Sequence, residues 1–416
     1  MMRTITSRVL TIAMAAQLLL TPSLGAGDLL EVLCTGKASG MPLMASILKR
    51  EPMTVSVIIP TRIGSKNVDL TPSNVKRYMR LYFPRTYQDL ISEYEFMLLE
   101  QIDSTYFTPV QFEWMRTAVE NAGMGGLQDR SVMSMHQVYA DSWAQSVLSD
   151  AYPNDADLVV EVDYHRNGLL EIILNENPNL PDVVKAYRDV LNLEVGQWGS
   201  NLMIPKGGSE IYTWSKTGEF PEFAYPEPGL FPHILGWRYG EGYTWSVQDI
   251  LGASFWHQGN NPYGTDVMIS MMMYSTNREL PQDVVLVHRL RIEFANYLEL
   301  KGFIFSLMDF VEKFGANIDQ LDRSVETLDE LWVRSRDLYL EQEYQDSWDG
   351  MQQAIAEIIA LRQQALELKD SALFWIYVIE WLSISGTFLL SGFALWTLMV
   401  RRRLYREVDR TRMVAR

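Results

Sequence analysis

Short apolar runs and stretches with helical spacing alternate over the first part of the chain. The β-branched run Thr54–Pro60 and the apolar run Tyr94–Gln101 are typical of buried strands. A helix is predicted to begin after each run, at Thr71–Pro72 and at Thr108–Pro109, because a capping threonine is followed by proline at the first helical position. This alternation of strand and helix favours a parallel sheet with crossover helices.

A glycine cluster follows the second predicted helix. Gly123 is a natural helix end. Gly125 and Gly126 could hold a ligand, form a nucleophile elbow that continues to Ser131, or only turn the chain. Their first expected function is structural, because they turn the chain toward another strand.

The middle of the chain is less regular. Strands are predicted at Ala156–His165, Gly168–Leu174 and Ser209–Trp214, and His233–Leu251 is predicted to form two strands around a tight turn at Gly240–Gly242. Tyr263–Thr276 is predicted to be a buried helix whose methionines pack in the core.

Long helices are predicted after Pro281. One apolar stripe runs along a single helix face: Ile318, Leu321, Val325, Leu328 and Trp332. We interpret residues 286–371 as a helical stalk. Its narrow stripe fits packing within one chain, and it also allows a homo-oligomer through the stalk.

Two terminal segments predict the topology. Residues 1–26 have a basic start, a short apolar run and small residues near Gly25, which is typical of a signal peptide. Residues 372–400 are apolar apart from Glu380 and are followed by three arginines, which predicts a transmembrane helix with a basic cytoplasmic tail at 401–416. We therefore expect a single-pass type I protein of the cell membrane with a large extracytoplasmic part.

Composition narrows the function. The net charge of −16 over 416 residues disfavours binding to nucleic acid, since an acidic surface repels phosphates. Cys34 is the single cysteine, which excludes an intramolecular disulfide and a cysteine-based metal site. We expect no cofactor and no metal.

The order of segments resembles a class I glutamine amidotransferase-like domain of the ThuA-like branch. The resemblance covers about Met53 to Pro281 and rests on the first strand, the region from Tyr94 to Gly126, and the hairpin and closing helix described above. It implies an α/β domain over residues 27–285 with a flavodoxin-like three-layer sandwich. Enzymes of this family use a cysteine on a strand-to-helix turn, with a histidine and a glutamate downstream. Here the turn has no cysteine, Cys34 is expected upstream of the first strand, and no histidine has a glutamate two residues later.

Other side chains could line a cleft. Ser131, Ser134 and His136 follow the glycines, where a serine and a histidine could pair or could only bond the local backbone. A metal site would need convergence of Asp163, His165 and His257, while isolated histidines are usually satisfied locally. Trp and Tyr residues between 198 and 256 could bind a sugar or a peptide, or could form the core.

The function predicted from the sequence is binding or assembly of a surface complex by a catalytically degenerate domain, with an unknown extracytoplasmic ligand or protein as partner. The alternative is a cell-surface hydrolase of carbohydrate or peptide substrates that uses a site without cysteine.

Overall fold

The computed structural model describes residues 29–37, 47–62, 71–100, 102–129, 146–155, 169–196, 203–216, 230–249, 251–252, 254–314 and 318–414. The chain divides into two compact units. We call residues 1–295 with 333–351 the α/β unit, and residues 296–332 with 352–416 the helical unit. The predicted signal peptide and the strand Ala156–His165 lie outside the described residues.

The α/β unit contains a mixed sheet of nine described strands in the order β2-β1-β3-β4-β9-β8-β7-β5-β6. The strands are β1 Leu30–Lys37, β2 Thr54–Arg62, β3 Phe96–Glu100, β4 Gly125–Asp129, β5 Leu169–Leu174, β6 Glu194–Gly196, β7 Glu210–Lys216, β8 Leu230–Tyr239 and β9 Gly242–Val247. The pairs from β2 through to β9 are parallel, and those from β9 to β6 are antiparallel. The predicted parallel sheet is therefore confirmed for only half of the strands.

The described α-helices are α1 Pro72–Tyr82, α2 Tyr87–Glu93, α3 Pro109–Ala122, α4 Gly264–Ser275, α5 Val284–Glu312, α6 Asp319–Leu340 and α7 Tyr344–Val414. The predicted starts are confirmed, because the Thr71 side chain accepts from Asn74 N–H and Thr108 forms a capping box with Gln111. Gly123 ends α3 with φ 74°, the left-handed conformation that glycine adopts without strain.

Helices pack on both faces of the sheet. On one face, α1, α2 and α3 enclose an apolar core with β1 and β3, built from residues such as Leu33, Met97 and Met115. On the other face, Trp245 of β9 donates from Nε1 to the Met271 carbonyl (3.1 Å) and to Ser275 Oγ (2.7 Å) of α4. The α/β unit is therefore a helix–sheet–helix sandwich.

Two sequence-based expectations are wrong at the residue level. Cys34 does not precede the first strand, since it lies within β1 between β2 and β3. Gly125 and Gly126 do not form a turn, since they lie inside β4 and pair with Phe96 and Met97. In both places the short strand lacks a clear alternation, and long-range pairing decides its structure.

The helical unit contains the second half of α5, the first part of α6 and most of α7. The predicted stripe on α6 is confirmed, because Leu321, Val325 and Leu328 are buried. Other buried residues of this unit come from α5 and α7: Ile304, Met308, Val311, Ile358, Leu361, Ala365 and Ala372. Further along, α7 contains an apolar stretch of 18 residues with a mean hydropathy of 1.6. None of this stretch is buried, which is consistent with a membrane anchor.

Candidate functional site

The parallel strands end at one edge of the sheet, which we call the carboxyl edge. In open α/β sheets, ligands bind outside the carboxyl ends of the strands. An acidic residue lies at this edge in each of three places. Glu100 is the last residue of β3, Asp129 is the last residue of β4, and Asp249 follows β9. All three are buried, so this edge is the candidate functional site.

A buried amide and hydroxyl network joins β4 to β9. Gln128 and Ser246 are register partners, which places their side chains on the same face. Gln128 Nε2 donates to Asn154 Oδ1 (2.6 Å) and to Ser246 Oγ (2.7 Å), and Ser246 Oγ donates to Asn154 Oδ1 (2.7 Å). These bonds offset the cost of burying three polar side chains.

A second network contains a hydroxyl, an imidazole and a carboxylate. Thr213 Oγ1 lies 2.9 Å from His233 Nδ1, and His233 Nε2 lies 3.1 Å from Asp249 Oδ2. Next to it, Ser215 Oγ donates to Gln248 Oε1 (2.6 Å), and Gln248 N–H donates to the His233 carbonyl. Residue types of this kind perform acyl transfer when the hydroxyl is open to substrate.

This second network is closed to substrate. Thr213, His233 and Asp249 each have an exposed fraction of 0%. Their hydrogen bonds therefore specify the packing of β7, β8 and the residues after β9. Sequence reasoning missed this role, although His233 and Asp249 bracket the predicted hairpin and a polar residue within an apolar strand is a usable signal.

Two threonine hydroxyls at the carboxyl edge lack a partner within the described part of the chain. Thr35 Oγ1 lies near the end of β1, Thr61 Oγ1 lies near the end of β2, and both are buried. A buried hydroxyl that makes no hydrogen bond is costly, so such atoms often mark where a ligand or water bonds.

Cys34 cannot serve as a nucleophile in this fold. It is free and buried in β1. Burial raises the pKa of its thiol far above the usual value, and the negative charge of Glu100 raises the pKa further. The reactive thiolate is therefore not populated at neutral pH.

A separate ionic cluster lies among the helices of the α/β unit. Arg291 of α5 forms an ion pair with Glu51, with Nε 2.8 Å from Oε2, and donates from a terminal nitrogen to Asp266 of α4 (2.6 Å). Tyr339 of α6 accepts from Arg291 (3.0 Å) and donates to Glu51 (2.8 Å). His288 Nδ1 lies 2.7 Å from the other oxygen of Asp266.

The protonation of this cluster is set by burial and by the charges within it. Burial raises the pKa of Glu51, and Arg291 and the Tyr339 hydroxyl offset only part of that effect. Burial alone would lower the pKa of Arg291, but Glu51, Tyr339 and Asp266 outweigh it, and the pKa is well above its usual value. We interpret this cluster as a structural clamp between helices, because its groups satisfy one another.

The residues selected from the sequence do not come together in the described structure. Gly125 and Gly126 are buried in β4, whereas His257 is exposed and its Nδ1 accepts from the Gly259 N–H (3.1 Å). The other selected residues lie outside the described part of the chain: Ser131, Ser134, His136, Asp163 and His165. Among the described residues, no group of three or more His, Cys, Asp or Glu side chains could hold a metal ion.

The aromatic residues divide between core and surface. Trp245 and Trp256 are fully buried, and Tyr212 and Tyr243 pack on Trp245 with ring centroids 4.8 and 4.9 Å away. Trp214 and Trp237 are half-buried. The described aromatics therefore serve mainly as packing between the sheet and α4.

No protein-family model matches the chain, and no curated protein matches it. Among solved structures, a cytoplasmic protein from Salmonella typhimurium LT2 is similar over 60% of this chain and 98% of its own, with a TM-score of 0.40 and 13% sequence identity.

Proposed function

We propose that this protein is a single-pass type I membrane protein whose outward-facing α/β unit is catalytically degenerate and acts in binding or assembly of a surface complex. The observation that carries the proposal is the exposed apolar segment of α7, which is followed by Arg401, Arg402 and Arg403. Such a segment needs lipid around it, and the arginines favour the cytoplasmic side.

The closed chemistry of the carboxyl edge supports binding over catalysis. The hydroxyl–imidazole–carboxylate chain of Thr213, His233 and Asp249 is fully buried, and Cys34 lies inside a strand with a raised thiol pKa. The unpartnered hydroxyls of Thr35 and Thr61 at the same edge favour a polar ligand.

The strand order supports a flavodoxin-like architecture for the parallel half. Its order β2-β1-β3-β4-β9 has the pattern of a doubly wound sheet, with β9 as the fifth parallel strand. The antiparallel strands β8, β7, β5 and β6 are an addition to that pattern. Membership of the ThuA-like branch remains a proposal from the sequence, and so does a homo-oligomer formed through the helical unit.

A cell-surface hydrolase is the second candidate function, and the Thr213–His233–Asp249 chain is the observation that favours it. A hydrolase would need a hydroxyl that substrate can reach. A fluorophosphonate probe distinguishes the two functions, because it labels a serine or threonine that a base activates. We expect no labelling of the full chain in membranes. Labelling at Ser131 or Thr213 would support the hydrolase.

Membrane anchoring is tested by Leu390→Arg in the full chain. Leu390 is 73% exposed near the middle of the apolar segment, and an arginine there costs about 2.5–3.5 kcal/mol on insertion. We expect the wild type to remain in the membrane after alkaline carbonate extraction and the variant to be released. Gln353→Arg, an exposed position of α7 before that segment, is the matched control and should behave like the wild type.

Orientation is tested with single cysteines in a Cys34→Ala background. A maleimide that cannot cross membranes is applied to intact cells that express Gln353→Cys or Tyr405→Cys. Both positions are exposed, one before the apolar segment and one after it. We expect labelling at 353 only. Labelling at 405 only would reverse the topology and exclude an outward-facing α/β unit.

A further inference from the structure

The second half of α5 and the turn that follows it carry an apolar stripe that the described part of the helical unit covers only in part. Phe303 and Phe314 are 45% and 50% exposed, and Leu307 and Phe310 between them are half-buried. The spacing of four and three residues places Phe303, Leu307 and Phe310 on one side of α5. Phe314 follows in a turn, where its N–H donates to the Val311 carbonyl (3.1 Å). The rings of Phe310 and Phe314 lie 4.9 Å apart. We call these four residues the aromatic stripe.

The stripe is separate from the side of α5 that faces the helical core. Ile304, Met308 and Val311 fill that core and are buried. On the other flank of the stripe, Asp309 and Lys313 form an exposed ion pair of 2.6 Å. Large aromatic side chains beside a polar flank favour an interface over random surface exposure.

Contacts among α5, α6 and α7 show the level at which α5 ends and Phe314 follows. Lys301 pairs with Asp329 (2.6 Å), and the rings of Tyr297 and Trp332 stack at 6.4 Å, so α5 and α6 run antiparallel. Ser347 Oγ near the start of α7 donates to the Ser335 carbonyl near the end of α6 (2.8 Å), and Ser324 and Leu328 line one groove with Glu357 and Gln364, so α6 and α7 also run antiparallel. The end of α5 therefore lies at the level of α7 near Ala372.

The membrane-anchor segment of α7 begins close to that level. Ala372 is 9% exposed and is the last buried residue of α7 in the range 344–405, whereas Phe374 and Trp375 are about 60% exposed. The predicted membrane segment, residues 372–400, spans ~43 Å along the helix, which matches a bilayer of about 40–45 Å that includes both headgroup regions, so Ala372 lies at the outer edge of one headgroup region. The headgroup region on each side of the hydrocarbon is roughly 5–7 Å thick.

We propose that the end of α5, with Phe310 and Phe314, contacts the headgroup region of the lipid bilayer beside the anchor. A helix tilt of ~20° is average for membrane spans and would lower one side of a helical bundle by several ångströms. Phe314 would then lie at the interface near Trp375 and Tyr377, where aromatic side chains are favoured. This inference rests on the proposed membrane anchor.

The test measures lipid and water accessibility at single sites of the full chain. Nitroxide-labelled cysteines are introduced in a Cys34→Ala background at Phe314, Phe303, Glu326 and Leu389. The protein is reconstituted in vesicles of phosphatidylcholine and phosphatidylglycerol, and collision rates with oxygen and with a nickel chelate are compared. Leu389 is the control inside the anchor, and the exposed Glu326 of α6 is the control in water.

Phe303 is a matched control on the same stripe, because it lies eleven residues before Phe314 and ~16 Å further from the membrane. We expect the ratio of oxygen to nickel collisions at position 314 to be severalfold higher than at 303 and 326, and lower than at 389. Equal oxygen-to-nickel ratios at 314, 303 and 326, with a high ratio at 389, would overturn this inference and still support the membrane anchor. A water-like ratio at 389 would overturn the anchor and this inference together. Dipolar broadening between labels at 314, with a water-like ratio there, would mean that a second copy covers the stripe and would overturn the lipid contact.

Discussion

Two adjacent glycines in β4 each leave room for a different neighbour. A Cβ added at Gly125 would lie 2.5 Å from a ring carbon of Phe96 and 2.7 Å from Ser275 Cβ. A Cβ added at Gly126 would lie 2.8 Å from the Tyr152 hydroxyl. β4 can therefore pack against α4 on one face and against the Tyr152 side chain on the other, and these glycines serve close packing instead of a turn.

Substitution of Gly125 by alanine tests this packing. We expect Gly125→Ala to lower the free energy of unfolding by about 1–3 kcal/mol, because Phe96 and Ser275 must move to make room. The measurement is denaturant unfolding of the full chain in detergent. Gly207→Ala is the matched control, since a Cβ there meets nothing within 4 Å. An equal effect of the two substitutions would contradict the packing argument.

The Cys34 thiol is expected to be unreactive in the folded protein. Its thiol pKa is raised by burial first and by the charge of Glu100 second, so the thiol stays protonated at neutral and mildly alkaline pH. Maleimide should leave Cys34 unmodified in the native chain and should modify it after denaturation. Native labelling as fast as that of an exposed cysteine at Tyr405 would show that β1 opens readily.

The cluster around Arg291 predicts a pH-dependent effect. Arg291→Met leaves Glu51 and Asp266 buried without their cation, and we expect a loss of about 3–5 kcal/mol in the free energy of unfolding at neutral pH. The pKa of Glu51 is already raised in the folded protein, and loss of Arg291 raises it further. A raised carboxyl pKa stabilises the fold when the group is protonated, and that contribution is lost as pH rises through the folded pKa.

The loss in the free energy of unfolding caused by Arg291→Met should therefore be smaller at mildly acidic pH than at neutral pH. Thermal or denaturant unfolding at two pH values measures this change. The exposed Arg289→Met is the control and should show a small effect at both. A deficit that does not change with pH would mean that Glu51 keeps its proton over the whole range.

At the scale of the single element, capping residues stabilise the first turn of a helix. In α3, Thr108 Oγ1 accepts from Gln111 N–H (3.3 Å), and Gln111 Oε1 accepts from Thr108 N–H (2.8 Å). We expect Thr108→Ala to cost about 0.5–2 kcal/mol, because it leaves helix-end donors unpaired. Thr117→Ala in the interior of the same helix is the matched control and should be neutral or stabilising, since alanine has the higher helix propensity. Denaturant unfolding of both variants gives the comparison.

The elements with local signals could be predicted from the sequence. The threonine–proline pairs correctly predicted where α1 and α3 begin, and the turn at Gly240–Gly242 correctly predicted the hairpin of β8 and β9. β1 and α2 were missed. The run of β1 is interrupted by polar residues, and α2 has a capping box at Thr86 but only seven residues and little periodicity.

The buried polar clusters could not be predicted, because their members come from distant parts of the chain. Glu51, Asp266 and Arg291 each look ordinary in their own segments, and only packing brings them together. The same holds for Gln128 with Ser246. Periodicity reports which side chains are buried, but it does not report which buried polar groups meet.

At the scale of the whole molecule, the sheet joins a parallel half to an antiparallel half at β9. β9 pairs in parallel with β4 and antiparallel with β8. The fold therefore combines local hairpin pairing with pairing of high sequence separation, and the latter has the larger entropy cost of loop closure. The apolar segment of α7 lies after both halves in the chain, so the described sheet is complete in sequence before that segment is synthesised.

The pairing of β4 with β9 also has a consequence for the time course of synthesis. Asp129 and its partner Val247 are more than a hundred residues apart. At 5–20 residues per second, one edge of β4 waits about 5–25 s on the ribosome before its neighbour exists. During that interval a five-residue strand whose native positions are all buried has an open hydrogen-bonding edge. A nascent chain arrested just before β9 should therefore recruit chaperones or aggregate, whereas one arrested after β9 has left the ribosome should not.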